Sequence, residues 1–271
     1  MSKKVSQIRI QKLDGQAKRT AFDNLAGEEP LRIQIQTPSG ERTTITTTMR
    51  TPGDDFNLAV GTLYSAGIID ADLVHSVKYC TDVPENEQWY NVVTVTLRGL
   101  PLRRVTPEFR PRTSACGLCG SSEIETLVGS LGRVEDSVRI SKEELYGLPT
   151  RLARGQRLFQ DTGGVHAVGL FQSGAPDVIS EDIGRHNAFD KAIGNMLTYK
   201  RNLSGLIAVL SGRVGFEMVQ KAGSIGAEMI VAVSAPTSMA AEACDRLGIT
   251  LVGFTRQTSA NLYTAPQRVI D

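Results

Sequence analysis

The chain has 271 residues, 41% of them hydrophobic and 22% charged, with a formal net charge of +1. That length allows one large domain or two of ordinary size, with a core that needs no disulfide staples, and the near-neutral balance excludes a global attraction to nucleic acid or a membrane surface. The first residues lead into no apolar run of signal-peptide length and nowhere do about eighteen apolar residues run together, so a cytoplasmic, reducing location and no membrane span are expected.

Residues 31–36 (Leu-Arg-Ile-Gln-Ile-Gln) alternate strictly, residues 38–40 read as a turn, and residues 42–48 are rich in β-branched side chains, which together predict a hairpin. Thr51-Pro52-Gly53-Asp54 then places a capping threonine and a proline at the first helical position. This predicts a helix from Asp54 to about Ser65, ended by Gly67, that presents Phe56, Ala59, Val60 and Leu63 to the sheet. Residues 74–79 and 92–97 read as two more strands around a loop at 82–88, with Trp89 and Tyr90 as packing residues. The expectation is a β-rich N-terminal domain with one helix over residues 1–110.

Two of the four cysteines, Cys116 and Cys119, lie on a C-x-x-C spacing within a proline- and arginine-rich stretch. Residues 98–120 read as a mobile loop that carries these thiols just ahead of a helix at 121–131. The positive end of that helix, with Arg103, Arg104, Arg110 and Arg112, favours thiolate over thiol and lowers the pKa below the free value of about 8.5. The spacing also admits a structural disulfide, half of a zinc knuckle, or inert thiols. No second C-x-x-C or H-x(3-5)-H exists to complete a zinc site, since Cys80 and Cys244 stand alone and the three histidines are scattered, so no metal is expected. One loop bridge closes too few residues to stabilise a chain this long, which leaves redox or sulfur-transfer chemistry as the favoured class. The arginines lack aromatic interleaving apart from Phe109, so a nucleic-acid patch is not expected; they are either solvated or dock an acidic partner.

Beyond residue 121 the pattern becomes α/β. Residues 165–171 and 177–180 read as a hairpin turning at Ser173-Gly174, and residues 187–197 as a helix. Residues 206–210, 229–233 and 249–254 are continuous apolar strands joined by helices at 216–223 and 239–247, which predicts a sheet with a parallel core and helices on both faces. The fold class is therefore α/β (α+β overall): a three-layer domain over residues 121–271 with a mixed, largely parallel sheet, beside the smaller β-rich domain.

Open α/β sheets bind ligands beyond the carboxyl ends of their strands, where loop amides and helix N-termini converge. The residues expected there are Ser211, Gly212 and Arg213, residues 234–238, and Phe254, Thr255, Arg256, Gln257, Thr258 and Ser259. Hydroxyls and two arginines suit phosphates, and Phe254 suits a flat heterocycle; the competing reading is ordinary tight turns with solvated arginines. Neither G-x-G-x-x-G nor a Walker lysine is present. His166 after Gly163-Gly164, and His186 beside Asp182 and Arg185, are candidate site-lining residues, although a histidine is commonly structural.

The order of elements, a helix, two strands and then alternating helix and strand, is cytidine-deaminase-like. The zinc chemistry of those enzymes is absent, because His186 is followed by Asn187-Ala188 rather than H-x-E, and Ser211-Gly212-Arg213 stands where the cysteines belong.

Taken together, Met49-Arg50-Thr51-Pro52-Gly53-Asp54-Asp55, Cys116-Gly117-Leu118-Cys119-Gly120, Asp161-Thr162-Gly163-Gly164-Val165-His166, residues 181–188 and Leu210-Ser211-Gly212-Arg213 closely resemble the FdhD family, over nearly the whole chain. The resemblance implies a sulfur carrier, or sulfurtransferase, required for formate dehydrogenase activity. It implies sulfur accepted from a cysteine desulfurase as a persulfide on Cys116, with Cys119 relaying or resolving it. The recipient would be the molybdenum cofactor, bis(molybdopterin guanine dinucleotide), whose guanine end would sit at residues 254–259. Arg256 is retained, while Thr255, Gln257, Thr258 and Ser259 lack a glycine and second arginine found in some relatives. A non-catalytic, cofactor-binding chaperone of formate dehydrogenase is the alternative. A thioredoxin-like oxidoreductase fits less well, because the C-x-x-C does not follow the first strand of a βαβ unit. The apolar helix faces leave a homodimer or a purely internal core open.

Overall fold

The computed structural model describes residues 3–15, 17–81, 89–105, 129 and 131–271. The loop expected at 82–88, the cysteine loop, and nearly all of the helix expected at 121–131 lie outside the described residues.

Strands β1 (Val5–Asp14) and β2 (Ala17–Ala26) form an antiparallel hairpin that, among the described residues, pairs with no other strand. The sequence gives weak warning of it, since apolar and charged residues share both faces. Next come β3 (Glu29–Gln36), β4 (Arg42–Arg50), β5 (Val74–Tyr79) and β6 (Val92–Leu97), in the sheet order β4-β3-β6-β5. The alternation of β3 does what period-two patterning demands: Leu31, Ile33 and Ile35 are buried on one face, against Val93 and Val95 of β6.

Helix α1 (Asp55–Ser65) covers that face with Leu58, Ala59 and Leu63. Two expectations fail here. The helix is not capped by Thr51 with Pro52 at its first position; Asp54, in the left-handed region at φ 57, is the N-cap residue and makes no side-chain cap. Arg50 explains the tight turn, because it is fully buried and grips both Asp55 oxygens, at 3.0 and 2.8 Å, drawing the first helical residue back toward β4. The Tyr79 hydroxyl also donates to Asp55, at 3.0 Å. Phe56 is 39% exposed but meets the sheet through the Tyr79 ring of β5, whereas Val60 points the other way, into a second core. Trp89 is 75% exposed rather than a packing residue, whereas Tyr90 sets its ring edge-on to Tyr79.

The second core is three-layered. Its sheet, in the order β13-β12-β11-β10-β8-β9, is built from β8 (His166–Phe171), β9 (Val178–Asp182), β10 (Ile207–Leu210), β11 (Met229–Ala232), β12 (Thr250–Gly253) and β13 (Asn261–Thr264). It is mixed: β10, β11 and β12 are mutually parallel and β9 shares their direction, while β8 and β13 run against them. Along β10 and β11 the side chains alternate between two apolar faces, and because both faces are covered these strands read as unbroken hydrophobic runs. One face takes α4 (Arg185–Thr198), α5 (Phe216–Ser224) and α6 (Ser238–Leu247); the other takes α2 (Lys142–Gly155) through Leu145, Leu148 and Leu152. Short α3 (Arg157–Thr162) follows α2. A parallel pair, β7 (Ile140–Ser141) with β14 (Val269–Ile270), closes the chain end onto α2. Helix α2 begins with a Ser141–Glu144 capping box and runs through Pro149. Among the described residues no helix is long and apolar enough to cross a membrane.

The two cores meet where α1 crosses α4. A Cβ placed on Gly61 would lie 1.9 Å from the Asp190 carbonyl oxygen, and one on Gly194 would lie 1.9 Å from that of Asn57. The helices therefore touch backbone to backbone. Although alanine favours a helix over glycine by about 1 kcal/mol, Gly194→Ala is expected to destabilise the protein by roughly 2–3 kcal/mol, because the clash is with main chain. Gly147→Ala on α2, where nothing lies within 4 Å, is expected to be neutral or slightly stabilising; urea unfolding of both variants checks the contrast.

Candidate functional site

The carboxyl ends of β9, β10, β11 and β12 lie along one edge of the six-stranded sheet, with the start of antiparallel β8 between the first two. Four inter-strand steps separate β9 from β12, so the edge from Asp182 to Gly253 is about 19 Å long. Ser211 locks part of this edge: its N–H donates to the Ala167 carbonyl at 3.1 Å, and its Oγ accepts from the Ala167 N–H at 2.9 Å. Gly212 lies against an imidazole, since a Cβ there would sit 3.3 Å from His166 Nδ1. Arg213 is exposed beside them.

At the β12 end, Phe254 is held in the left-handed region, φ 51; the residue is 43% exposed and its N–H donates to the Ser234 carbonyl at 3.2 Å. A bulky residue at positive φ stores strain, and such strain clusters at ligand sites. Thr255 is buried, and its Oγ1 has no hydrogen-bond partner among the described residues. One guanidinium nitrogen of Arg256 donates to the carbonyls of Val233, at 2.6 Å, and Thr255, at 2.9 Å, so this arginine fixes the loop that joins two strand ends. Thr258 and Ser259 are exposed, and the Ser259 carbonyl accepts from the Arg256 N–H at 2.8 Å. Gln257 instead lines an open groove of about 1100 Å³ along α2, with Tyr146 and Arg151. The structure thus separates Gln257 from the other residues of its loop.

At the β9 end stands the N-terminus of α4. Its N-cap, Gly184, offers no side chain, and the first two helical residues are Arg185 and His186. Arg185 Nε and His186 Nε2 are both buried with no hydrogen-bond partner among the described residues. A buried orphan donor calls for an absent acceptor, and an arginine at a helix N-terminus selects an anionic one. The imidazoles themselves are neutral at pH 7. Burial, followed by the charges of Lys221 and Arg185 and then by His166, pushes His186 down to about 4. Burial and the Arg185 charge lower His166 as well, against the pull of Asp182.

What fixes this end is the carboxylate of Asp182, which is wholly buried and placed 2.7 Å from Lys191 Nζ. It accepts from the N–H groups of Thr51, at 3.1 Å, and Gly184, at 2.9 Å, and from Asn187 Nδ2, at 3.1 Å. Asn187 Nδ2 also donates to the Met49 carbonyl at 2.8 Å. Two of the sequence patterns singled out above, at 49–55 and 181–188, are therefore halves of one latch. The parts of Lys191, Asn187 and Thr51 were not legible beforehand. The one available signal is the pair Asp190-Lys191 in the midst of an apolar helix face.

Cys116 and Cys119 lie outside the described residues. Cys244 is buried under α6, and burial raises its pKa far above the ordinary thiol range, which makes it inert. Arg103, from the arginine-rich stretch, donates to the Ala66 carbonyl at the end of α1, at 2.7 Å. Among the described residues no group of three or more His, Cys, Asp or Glu side chains is arranged to hold a metal ion.

The sequence pattern of the FdhD/NarQ family matches residues 26–270. The sulfur carrier protein FdhD of Mycolicibacterium paratuberculosis is 40% identical over 256 residues, covering 91% of this chain and 92% of its own. That of Thermoplasma volcanium is 39% identical over 266 residues, covering 96% and 94%. A crystal structure of a chain from Desulfotalea psychrophila, assigned as a formate dehydrogenase accessory protein, superposes with a TM-score of 0.74, covering 98% of this chain and 99% of that one; at 21% identity this is a likeness of fold.

The depressed His186 carries a pH signature. An unfolded imidazole takes up its proton below about 6.5, whereas the folded one does so only near 4. Between those values the unfolded chain binds more protons, so stability is expected to fall as pH drops through this window, by on the order of 3 kcal/mol from His186. Denaturant midpoints at pH 7 and pH 4.5 are expected to differ less in His186→Gln than in the wild type.

Proposed function

The chain belongs to the FdhD/NarQ family of sulfur carriers, and from that premise we propose that it receives sulfur as a persulfide on Cys116 from a cysteine desulfurase and delivers it to a guanine-nucleotide molybdenum cofactor, bis(molybdopterin guanine dinucleotide), held along the strand ends as substrate and destined for formate dehydrogenase. The observation that carries the nucleotide part is the pair of buried orphan atoms, Arg185 Nε and His186 Nε2, at an uncapped helix N-terminus. A phosphate oxygen supplies the acceptor that Arg185 Nε lacks, and His186 donates to the same anion in its Nε2–H tautomer. The exposed, strained Phe254 at the other end suits the guanine ring. The edge between them, about 19 Å long, suits an extended dinucleotide-like molecule better than a small anion.

The sulfur chemistry follows from two thiols on one loop. The Cys116 thiolate attacks the sulfane sulfur of the desulfurase persulfide, forming the Cys116 persulfide and releasing the desulfurase cysteine as thiolate. Attack by the Cys119 thiolate on the inner sulfur then closes a disulfide between the two cysteines and expels the outer sulfur as sulfide. That sulfur gains two electrons as two thiols are oxidised, and the sulfide becomes the terminal ligand of molybdenum in the substrate. A thiol reductant reopens the disulfide.

Intact-protein mass spectrometry after incubation with cysteine desulfurase and cysteine tests the first step. Wild type is expected to gain one reducible sulfur, and Cys116→Ala to gain none. No gain in wild type with an active desulfurase would replace this reading with that of a non-catalytic chaperone, in which the strand-end site binds the cofactor and the thiols are incidental.

A further inference from the structure

We propose that Thr51, a residue of the β4–α1 turn, is a positioning residue for the Arg185–His186 pocket, holding the turn from which α4 starts. The proposal rests on the reading of that pocket as an anion site.

Thr51 is 1% exposed and uses all three of its polar groups on one short segment. Its N–H donates to Asp182 Oδ2 at 3.1 Å, its Oγ1 accepts from the Ile183 N–H at 3.2 Å, and its carbonyl accepts from Lys191 Nζ at 2.8 Å. The next amide along, that of Gly184, is taken by Asp182 Oδ1 at 2.9 Å. The N–H groups of both residues before Arg185 are therefore pinned, one of them by a side chain 132 positions upstream. A helix N-terminus points where its preceding turn points it, so the direction of Arg185 Nε and His186 Nε2 follows from these bonds. Thr48 and Met49 add a second tie through Asn187, at 3.3 and 2.8 Å.

Thr51 Oγ1 is not what joins the two cores, because the Gly61 and Gly194 backbone contacts hold α1 on α4 without it. Its loss has a local consequence. The Ile183 amide goes unpaired, the turn relaxes, water reaches the imidazole, and the pocket loses its preorganisation.

Thr51→Val keeps the shape of the side chain and all backbone bonds while removing the single acceptor; Thr51→Ser restores it. GDP serves as the probe, with binding followed by calorimetry on the full chain, and the His186 titration is followed by NMR without ligand. Thr51→Val is expected to bind GDP roughly tenfold more weakly and to move the His186 pKa up from about 4 toward the ordinary histidine value. Thr51→Ser is expected to match wild type in both. Ser137→Ala, which strips a hydroxyl from the separate Glu228 network, is expected to lower stability and leave both readouts in place. A Thr51→Val protein with wild-type GDP affinity or an unshifted His186 overturns the proposal. Thr51→Ala gives the same two readouts should the valine variant fail to fold. If wild type itself does not bind GDP, the ligand reading of the pocket is wrong, and the His186 titration alone then decides the role of Thr51.

Discussion

A carboxylate with no exposed surface must be satisfied at every lone pair, and at Asp182 that demand is met from two distant stretches of chain. Lys191 neutralises it from inside α4, while Thr51, Gly184 and Asn187 supply three donors. Such a group adds little net stability, because desolvating both ions offsets much of their attraction, but leaving either partner alone costs several kcal/mol. The ion pair therefore acts as a specification. Where Asp182 and Lys191 satisfy each other, β9 ends, α4 begins and the β4–α1 turn is seated.

The glycine contact between α1 and α4 makes that arrangement reachable. With any larger side chain at Gly61 or Gly194 the helix axes would be forced apart, and the backbone groups at 49–51 would no longer reach Asp182 and Asn187. Close helix packing and the polar latch are thus two parts of one joint. Arg50, doubly bonded to Asp55, secures the same turn from the N-terminal side.

This joint gives the β9 end of the sheet its electrostatic character. Burial, followed by the charges of Lys221 and Arg185, depresses His186, and burial lowers His166 as well, while Lys221 itself is paired with Asp190. The anion proposal rests on Arg185 Nε and His186 Nε2, which are buried there without a partner among the described residues. The β12 end is organised differently, by a strained aromatic residue and by an arginine committed to main-chain carbonyls. The two ends of the edge are thus chemically different.

Much of this was determined by the sequence alone. The alternation of β3, the apolar runs of β10, β11 and β12, and the glycine- and hydroxyl-rich turns at their carboxyl ends follow from local periodicity and turn chemistry, which need only neighbouring residues. The family patterns were likewise readable, including the C-x-x-C spacing of Cys116 and Cys119. Helix α2 was not among the elements expected from the sequence; its Ser141–Glu144 capping box starts it, and the packing of Leu145, Leu148 and Leu152 on the sheet carries it through Pro149. The tertiary structure alone decided the contacts of Thr51, which by local rules is a helix cap, and the exposure of Trp89. It alone showed that residues 49–51 and 182–191 form a single device. Those outcomes depend on a buried charge finding its partners across more than a hundred residues, and no local propensity encodes that pairing.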